Sequence, residues 1–171
     1  MISEIIHPWE PVRDARSKIL ILGTIPSPKS RENGFYYGHP QNIFWQTLAG
    51  ALGKPVPKPD PTSRTAFLLQ NRIALWDVLH SCKIDGASDG SIRDPKPNIF
   101  RPLIAETQIV AVFTTGKKAT WLFNRLCAEE AGMRAIYLPS TSPANRALQA
   151  KPSFAEQWSQ IASCITRTER V

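Results

Sequence analysis

Four short apolar runs recur along the chain: KILILGT (18–24), RIALWDV (72–78), QIVAVFTT (108–115) and MRAIYLPS (133–140). Each is continuous, not alternating, and each is bounded by polar or turn residues. That pattern fits strands buried on both faces, as in a parallel sheet. Between them the spacing changes to a helical one. IFWQTLAGAL places Phe44, Leu48 and Leu52 four apart, and KKATWLFNRLCAEEAG puts Ala119, Leu122, Phe123 and Leu126 on one stripe. Asp60 followed by Pro61 predicts an N-cap with proline at the first helical position, and Ser153 with Glu156 predicts a capping box for the last helix. Alternating strands and helices predict a three-layer α/β/α domain on a central four-stranded parallel sheet.

Two connections stand out. GKPVPKPDP (53–61) is proline-rich and short. KIDGASDGSIRDPKP (83–97) is expected to be a long loop without regular structure, of a length often reserved for function.

With 171 residues, 42% of them apolar, and no evident linker, a single domain over 1–171 is expected. The formal charge of +7, from 21 Lys and Arg against 14 Asp and Glu, favours a polyanionic partner without naming it. Cys82, Cys127 and Cys164 lie far apart with no CxxC or Cys/His cluster, so no zinc or iron-sulfur site is indicated and free thiols are expected. The start, MISEIIHPWEPVRDAR, lacks the basic and apolar parts of a signal peptide, and no apolar run reaches membrane-spanning length. A soluble cytoplasmic protein is expected.

In open α/β sheets, ligands bind outside the carboxyl ends of the strands. Those ends carry the unusual chemistry here: GTIPSPKS after the first run, Asp77 after the second, TTGKK after the third and LPSTSPANR after the fourth. GTIPS suits a tight turn or a ligand-facing backbone, and neither GxxxxGK[ST] nor GxGxxG is present. In GFYYGHPQNIFW (34–45), Tyr36 and Tyr37 fit either core aromatics or a platform for an unpaired base. Asn42 fits a helix cap, and equally a neutral amide able to hold a water in line with a reacting carbon. His39 fits a His-Pro turn or a donor to a ligand. Lys117 and Lys118 at a helix start oppose the helix dipole unless an anion is near. Ser140, Ser142, Pro143, Asn145 and Arg146 form either an ordinary strand-to-helix loop or a wedge that grips phosphates and fills a gap in a base stack.

Together these segments resemble the uracil-DNA glycosylase superfamily, specifically its hypoxanthine-DNA glycosylase branch, family 6. The resemblance rests on GTIPSPKSRENGFYYGHPQNIFW as first motif, LWDVLHSCKIDGASDGSI with Pro97-Asn98 in the middle, and LPSTSPANR as second motif, in order from about residue 17 to 165. It implies a monofunctional enzyme of base excision repair. Such an enzyme flips a deaminated base (hypoxanthine, with uracil or xanthine as further candidates) out of DNA and hydrolyses its N-glycosidic bond, without metal or cofactor, as a monomer. By position, Asn42 matches the principal catalytic residue of the branch and Tyr37 the aromatic that stacks on the extruded base. The backbone around Gly23, Thr24, Ile25 and Pro26 would line the pocket, Asn98 could read the base edge, and the loop from Ser140 to Arg146 would hold the DNA backbone.

Asp77, at a strand end, is the second candidate for base or electrostatic work, beside the plain reading as a capping residue. Ile25 stands where uracil enzymes have Asp and mismatch enzymes Asn, which supports the hypoxanthine branch. Thr115 precedes Gly116 where Asn-Gly is expected in much of the branch, a departure that bears on substrate range. The alternatives are a uracil- or mismatch-directed glycosylase and a non-catalytic nucleic-acid-binding relative.

Overall fold

The structure is a computed structural model and describes residues 1–169. Its core is a four-stranded parallel sheet of β2 (Ile19–Gly23), β3 (Ile73–Asp77), β6 (Ala111–Thr115) and β7 (Ala135–Leu138), in the spatial order β3-β2-β6-β7. The four apolar runs are these four strands. β2 is buried at every position, while β7, at the edge, is half-exposed and leaves Ile136 open to solvent.

Alternation along β2 divides the core. Ile19 and Ile21 face a cluster with Phe44, Leu48, Phe67, Trp158 and Ile161, supplied by α2 (Phe44–Leu52), α3 (Pro61–Gln70) and α8 (Pro152–Glu169). Leu20 and Leu22 face the opposite cluster, which takes Ala119, Leu122 and Phe123 from α5 (Lys117–Leu126) and Leu103 from α4 (Arg101–Ala105). Full burial of one such side chain is worth roughly 1.5–3 kcal/mol, so two dry faces account for the run's lack of polar residues.

Residues 83–97 depart from expectation. They are not a structureless loop, because β4 (Leu79–Asp85) and β5 (Arg93–Pro97) pair antiparallel around a 3-10 turn at Asp89–Ser91. β1 (Ile2–Ile6) joins β4 on its other side, completing a second sheet in the order β1-β4-β5. Buried and exposed residues of β4 alternate except at the consecutive buried Ser81 and Cys82, where the pairing with β5 shifts register, and Cys82 and Ile84 join Ile5 in the cluster with Leu20. β5 lies at the sheet edge, where its two prolines cost no ladder bond that a central strand would need.

Helix caps follow the local sequence in one of the two predicted places. The Asp60 carboxylate accepts from the Ser63 amide and hydroxyl, each at 2.8 Å, with Pro61 at the helix start, and these bonds lower its pKa. α8 begins at Pro152, so Ser153 lies inside its first turn instead of capping it. The remaining helices are short: α1 (Pro28–Asn33), α6 (Ala128–Ala131) and α7 (Arg146–Gln149). Among the described residues no helix is long and apolar enough to cross a membrane.

Candidate active site

A cleft of about 800 Å³ opens at the carboxyl edge of the parallel sheet, and each strand end or its following loop contributes to it. β2 supplies Gly23 through Pro26, β3 supplies Asp77, β6 supplies Thr115 to Lys117, and β7 supplies the 140–145 loop. The GFYYGHPQNIFW segment (34–45) adds Tyr37, His39 and Asn42. Segments far apart along the chain thus meet at one site.

The turn after α1 separates the two tyrosines. Gly34, with φ 78°, ends α1 in a left-handed conformation that suits glycine. Tyr36 then turns into the core, 3% exposed, and donates its hydroxyl to Glu10 O at 3.0 Å. Tyr37 adopts φ 51°, a region that costs a non-glycine residue about 1–2 kcal/mol. Its ring stacks on Phe44, with centroids 3.8 Å apart and planes 5° from parallel, and its hydroxyl pairs with Thr115 Oγ1 at 3.0 Å. One ring face is thereby covered by Phe44, and Tyr37 lines the cleft. Burial, with the nearby Asp77 carboxylate second, pushes both phenols well above their ordinary pKa. Thr115 therefore anchors the stacking tyrosine, a task invisible in its position before Gly116.

Asn42 is half-buried at the start of α2. Its Oδ1 accepts the Phe44 amide at 2.9 Å, its own amide donates to His39 O at 3.0 Å, and the next amide, Ile43 N, donates to Thr141 O at 3.2 Å. The last bond ties the first motif to the second. His39 accepts the Gln41 amide on Nδ1 at 3.0 Å, leaving Nε2 as the ring's outward nitrogen.

Asp77 is buried, its side chain 5% exposed, and His7 Nε2 lies 2.7 Å from its Oδ2. Oδ1 sits beside Gly23, where a Cβ would come within 2.6 Å of it and within 2.9 Å of the Tyr37 hydroxyl. Glycine is required there by space, since the floor carboxylate and the stacking ring both pass over its Cα.

Not every predicted residue reaches the cleft. Asn98 is buried beneath the floor, where its Nδ2 donates to Asp77 O at 2.9 Å and its amide to Val78 O. It braces the strand end and does not line the pocket, so its expected contact with the base edge has no support in the geometry. Arg146 is exposed and outside the lining, at the start of α7. Asn145 lines the cleft but uses its Nδ2 on Ser140 O at 2.9 Å, and Gln149 Nε2 donates to Ser140 O and Ser142 O at 3.1 and 2.8 Å. These bonds hold the 140–145 loop in one shape.

Asp89 was not singled out by the sequence. It comes from the 3-10 turn of the second sheet, lines the cleft and faces the Thr24 hydroxyl; desolvation raises its carboxyl pKa, with Lys118 and Thr24 opposing the shift. The unusual length of segment 83–97 was the available signal. On α5, Lys117 lies at the cleft lip, and Lys118 and Arg125 flank the exposed Trp121 ring at 5.1 and 5.3 Å.

The parallel sheet brings Tyr37, Asn42 and the buried Asp77 together in one cleft at its carboxyl edge, and the chain is an α/β protein. The model of the uracil DNA glycosylase superfamily matches residues 11–162, and the chain belongs to that superfamily. A hypoxanthine DNA glycosylase of Methanosarcina acetivorans is 33% identical over 138 residues, 79% of this chain and 85% of the relative. A hypoxanthine DNA glycosylase of Methanosarcina barkeri is 38% identical over 92 residues, 54% of this chain and 58% of that relative, so this match spans little more than half of the relative. A solution NMR structure of a Methanosarcina acetivorans protein, described as a candidate uracil DNA glycosylase, superposes with a TM-score of 0.77 at 30% identity, covering 96% of this chain and 99% of the other.

Proposed function

We propose that this DNA glycosylase, acting as a monomer, excises hypoxanthine from deoxyinosine in DNA and leaves an abasic site, with uracil and xanthine as weaker substrates. The observation that carries the reading is the convergence of Tyr37, Asn42 and Asp77 on one cleft at the sheet's carboxyl edge. The names of the two Methanosarcina relatives support the choice of base.

Extruding a nucleotide costs a few kcal/mol, least where the pair is already weak, so a deaminated base is favoured before it reaches the pocket. Once inside, it stacks on Tyr37. Asp77, on the floor, meets the base edge: the lactam N–H of hypoxanthine donates to Oδ1, and the carboxylate also favours the positive charge that develops on the sugar. Asn42 orients the attacking water. Its carbonyl oxygen has two lone pairs and only one is used by the Phe44 amide, so the other can accept a water proton while the side chain stays fixed. A neutral amide is a poor base, and its contribution is position. The backbone of Gly23 to Ile25, with the Thr24 hydroxyl, surrounds the departing base.

A panel of duplexes with one deoxyinosine, deoxyuridine or deoxyxanthosine, assayed for abasic product at saturating protein, tests the reading. Fastest release is expected from deoxyinosine. Release of uracil alone would move the protein to a uracil-directed specificity, and tight binding without product on all three would make it a non-catalytic relative.

The grip on DNA is expected to be electrostatic. Lys117, Lys118 and Arg125 project from α5 beside Trp121, a mixture suited to phosphates and an unstacked base. Log Kd should therefore rise steeply with log salt, and Lys117→Ala with Lys118→Ala should reduce that slope by about 0.9 for each phosphate no longer neutralised. An unchanged slope places the DNA elsewhere on the surface.

A further inference from the structure

We infer that His7 is a positioning residue that fixes the polarity of the pocket floor, and through it the choice of base. The inference rests on the assignment of Asp77 to the base edge.

The chain of hydrogen bonds starts from the backbone. Trp9 N–H donates to His7 Nδ1 at 3.2 Å. A nitrogen that accepts carries no proton, so the ring proton is on Nε2, which donates to Asp77 Oδ2 at 2.7 Å. A backbone amide only donates, and the direction of the chain cannot reverse. Asp77 commits Oδ2 to His7 and presents Oδ1 on the pocket side, beside Gly23 and the Tyr37 hydroxyl.

The arrangement is held on all sides. The His7 side chain is 2% exposed, its ring packs edge-on to Trp9 and Trp76 with centroids 6.0 and 6.3 Å away, and it lies 5.9 Å from Tyr36. Its amide donates to His80 O at 2.7 Å, continuing the β1–β4 pairing of the second sheet. The small sheet thus delivers a side chain to the floor of the large one.

The chemical consequence is selectivity. Hypoxanthine, uracil and xanthine carry a lactam N–H beside a carbonyl, as guanine and thymine do, where adenine and cytosine have a bare ring nitrogen, so the floor separates hypoxanthine from adenine and uracil from cytosine. An acceptor-only floor binds the first group and sets a lone pair against a lone pair in the second. A site built around one hydrogen bond can discriminate by several powers of ten.

The decisive experiment pairs substitutions at both positions and reads kcat/KM on deoxyinosine and deoxyadenosine duplexes. In Asp77→Asn, His7 holds the amide oxygen and turns the NH2 group toward the base, donor against donor. Deoxyinosine turnover should fall at least about 100-fold. His7→Leu with Asp77→Asn frees that amide to turn over, and should regain at least about tenfold over Asp77→Asn alone. His7→Leu by itself should lose about tenfold or more and narrow the inosine-to-adenosine ratio, while His7→Gln, whose amide can accept from Trp9 and donate to Asp77, restores most of that loss.

A folded double variant no more active than Asp77→Asn overturns the role of His7. Full activity of Asp77→Asn instead overturns the assignment of Asp77. Nitrogen-15 NMR of the unmodified protein reads the ring directly, independent of any variant's folding: a proton on Nε2 supports the inference and one on Nδ1 ends it.

Discussion

Asn42→Ala is expected to lower the single-turnover rate on deoxyinosine DNA by at least about 100-fold, while the Kd for the same DNA moves by less than about threefold. Two roles meet in this side chain and the experiment separates them. Oδ1 accepts the Phe44 amide, so alanine removes a helix-start bond and should cost about 0.5–2 kcal/mol, measurable as a shift in the urea midpoint. The N-cap of α2 is Ile43, one residue on, and loss of the Asn42 bond leaves the folded fraction able to turn over if that bond is the whole function. Loss of water orientation acts on the chemical step in every folded molecule. A rate that returns to normal once the folded fraction is counted would reduce Asn42 to its bond with the Phe44 amide. Asn42→Asp keeps an oxygen for the Phe44 amide, and serves to show whether the amide's neutrality matters.

Gly23→Ala is the second large effect, and it comes from space alone. The added methyl would lie 2.6 Å from Asp77 Oδ1 and 2.9 Å from the Tyr37 hydroxyl. Neither neighbour yields cheaply. Asp77 is tied to His7, and Tyr37 is stacked on Phe44 and bonded to Thr115. The expected result is a loss of about 1–3 kcal/mol in stability from overpacking, with kcat/KM on deoxyinosine down by at least about 100-fold because floor and stacking wall both shift. Gly50→Ala, on the exposed side of α2 with nothing within 4 Å, is the matched comparison and should stabilise by about 0.5–1 kcal/mol. Equal activity of the Gly23 and Gly50 variants would remove the crowding argument.

Much of the architecture was legible in the chain. Strands dry on both faces need apolar side chains in both directions, and that requirement writes a continuous run into the sequence at β2, β3 and β6, while the half-exposed edge strand β7 keeps the run without the burial. The Asp60 cap is legible for a related reason, since its partner Ser63 lies three residues on and Pro61 fixes the helix start, which the Ser153 pattern lacked. The second sheet was not. β4 has one wet face and β5 carries two prolines among charged residues, so the polar content of 83–97 reads as a loop until β1, from the other end of the chain, pairs with it.

The site divides in the same way. The sequence by itself determined which segments meet at the sheet's carboxyl edge, because a parallel sheet sends every strand's following loop to one side. It also marked Tyr37, Asn42 and Asp77 as residues worth following there. Only the tertiary structure gave the two neighbouring tyrosines their partners: Tyr36, at the cleft wall, is buried with its hydroxyl on Glu10 O, and Tyr37, through a positive φ, stacks on Phe44 and bonds Thr115. It moved Asn98 under the floor, brought Asp89 to the cleft, and joined Asp77 to a histidine 70 residues away. Hydrophobic periodicity records which side of an element is dry. A hydrogen bond between distant side chains leaves no such trace, because its two partners share neither an element nor a repeat, and only the folded chain brings them within reach.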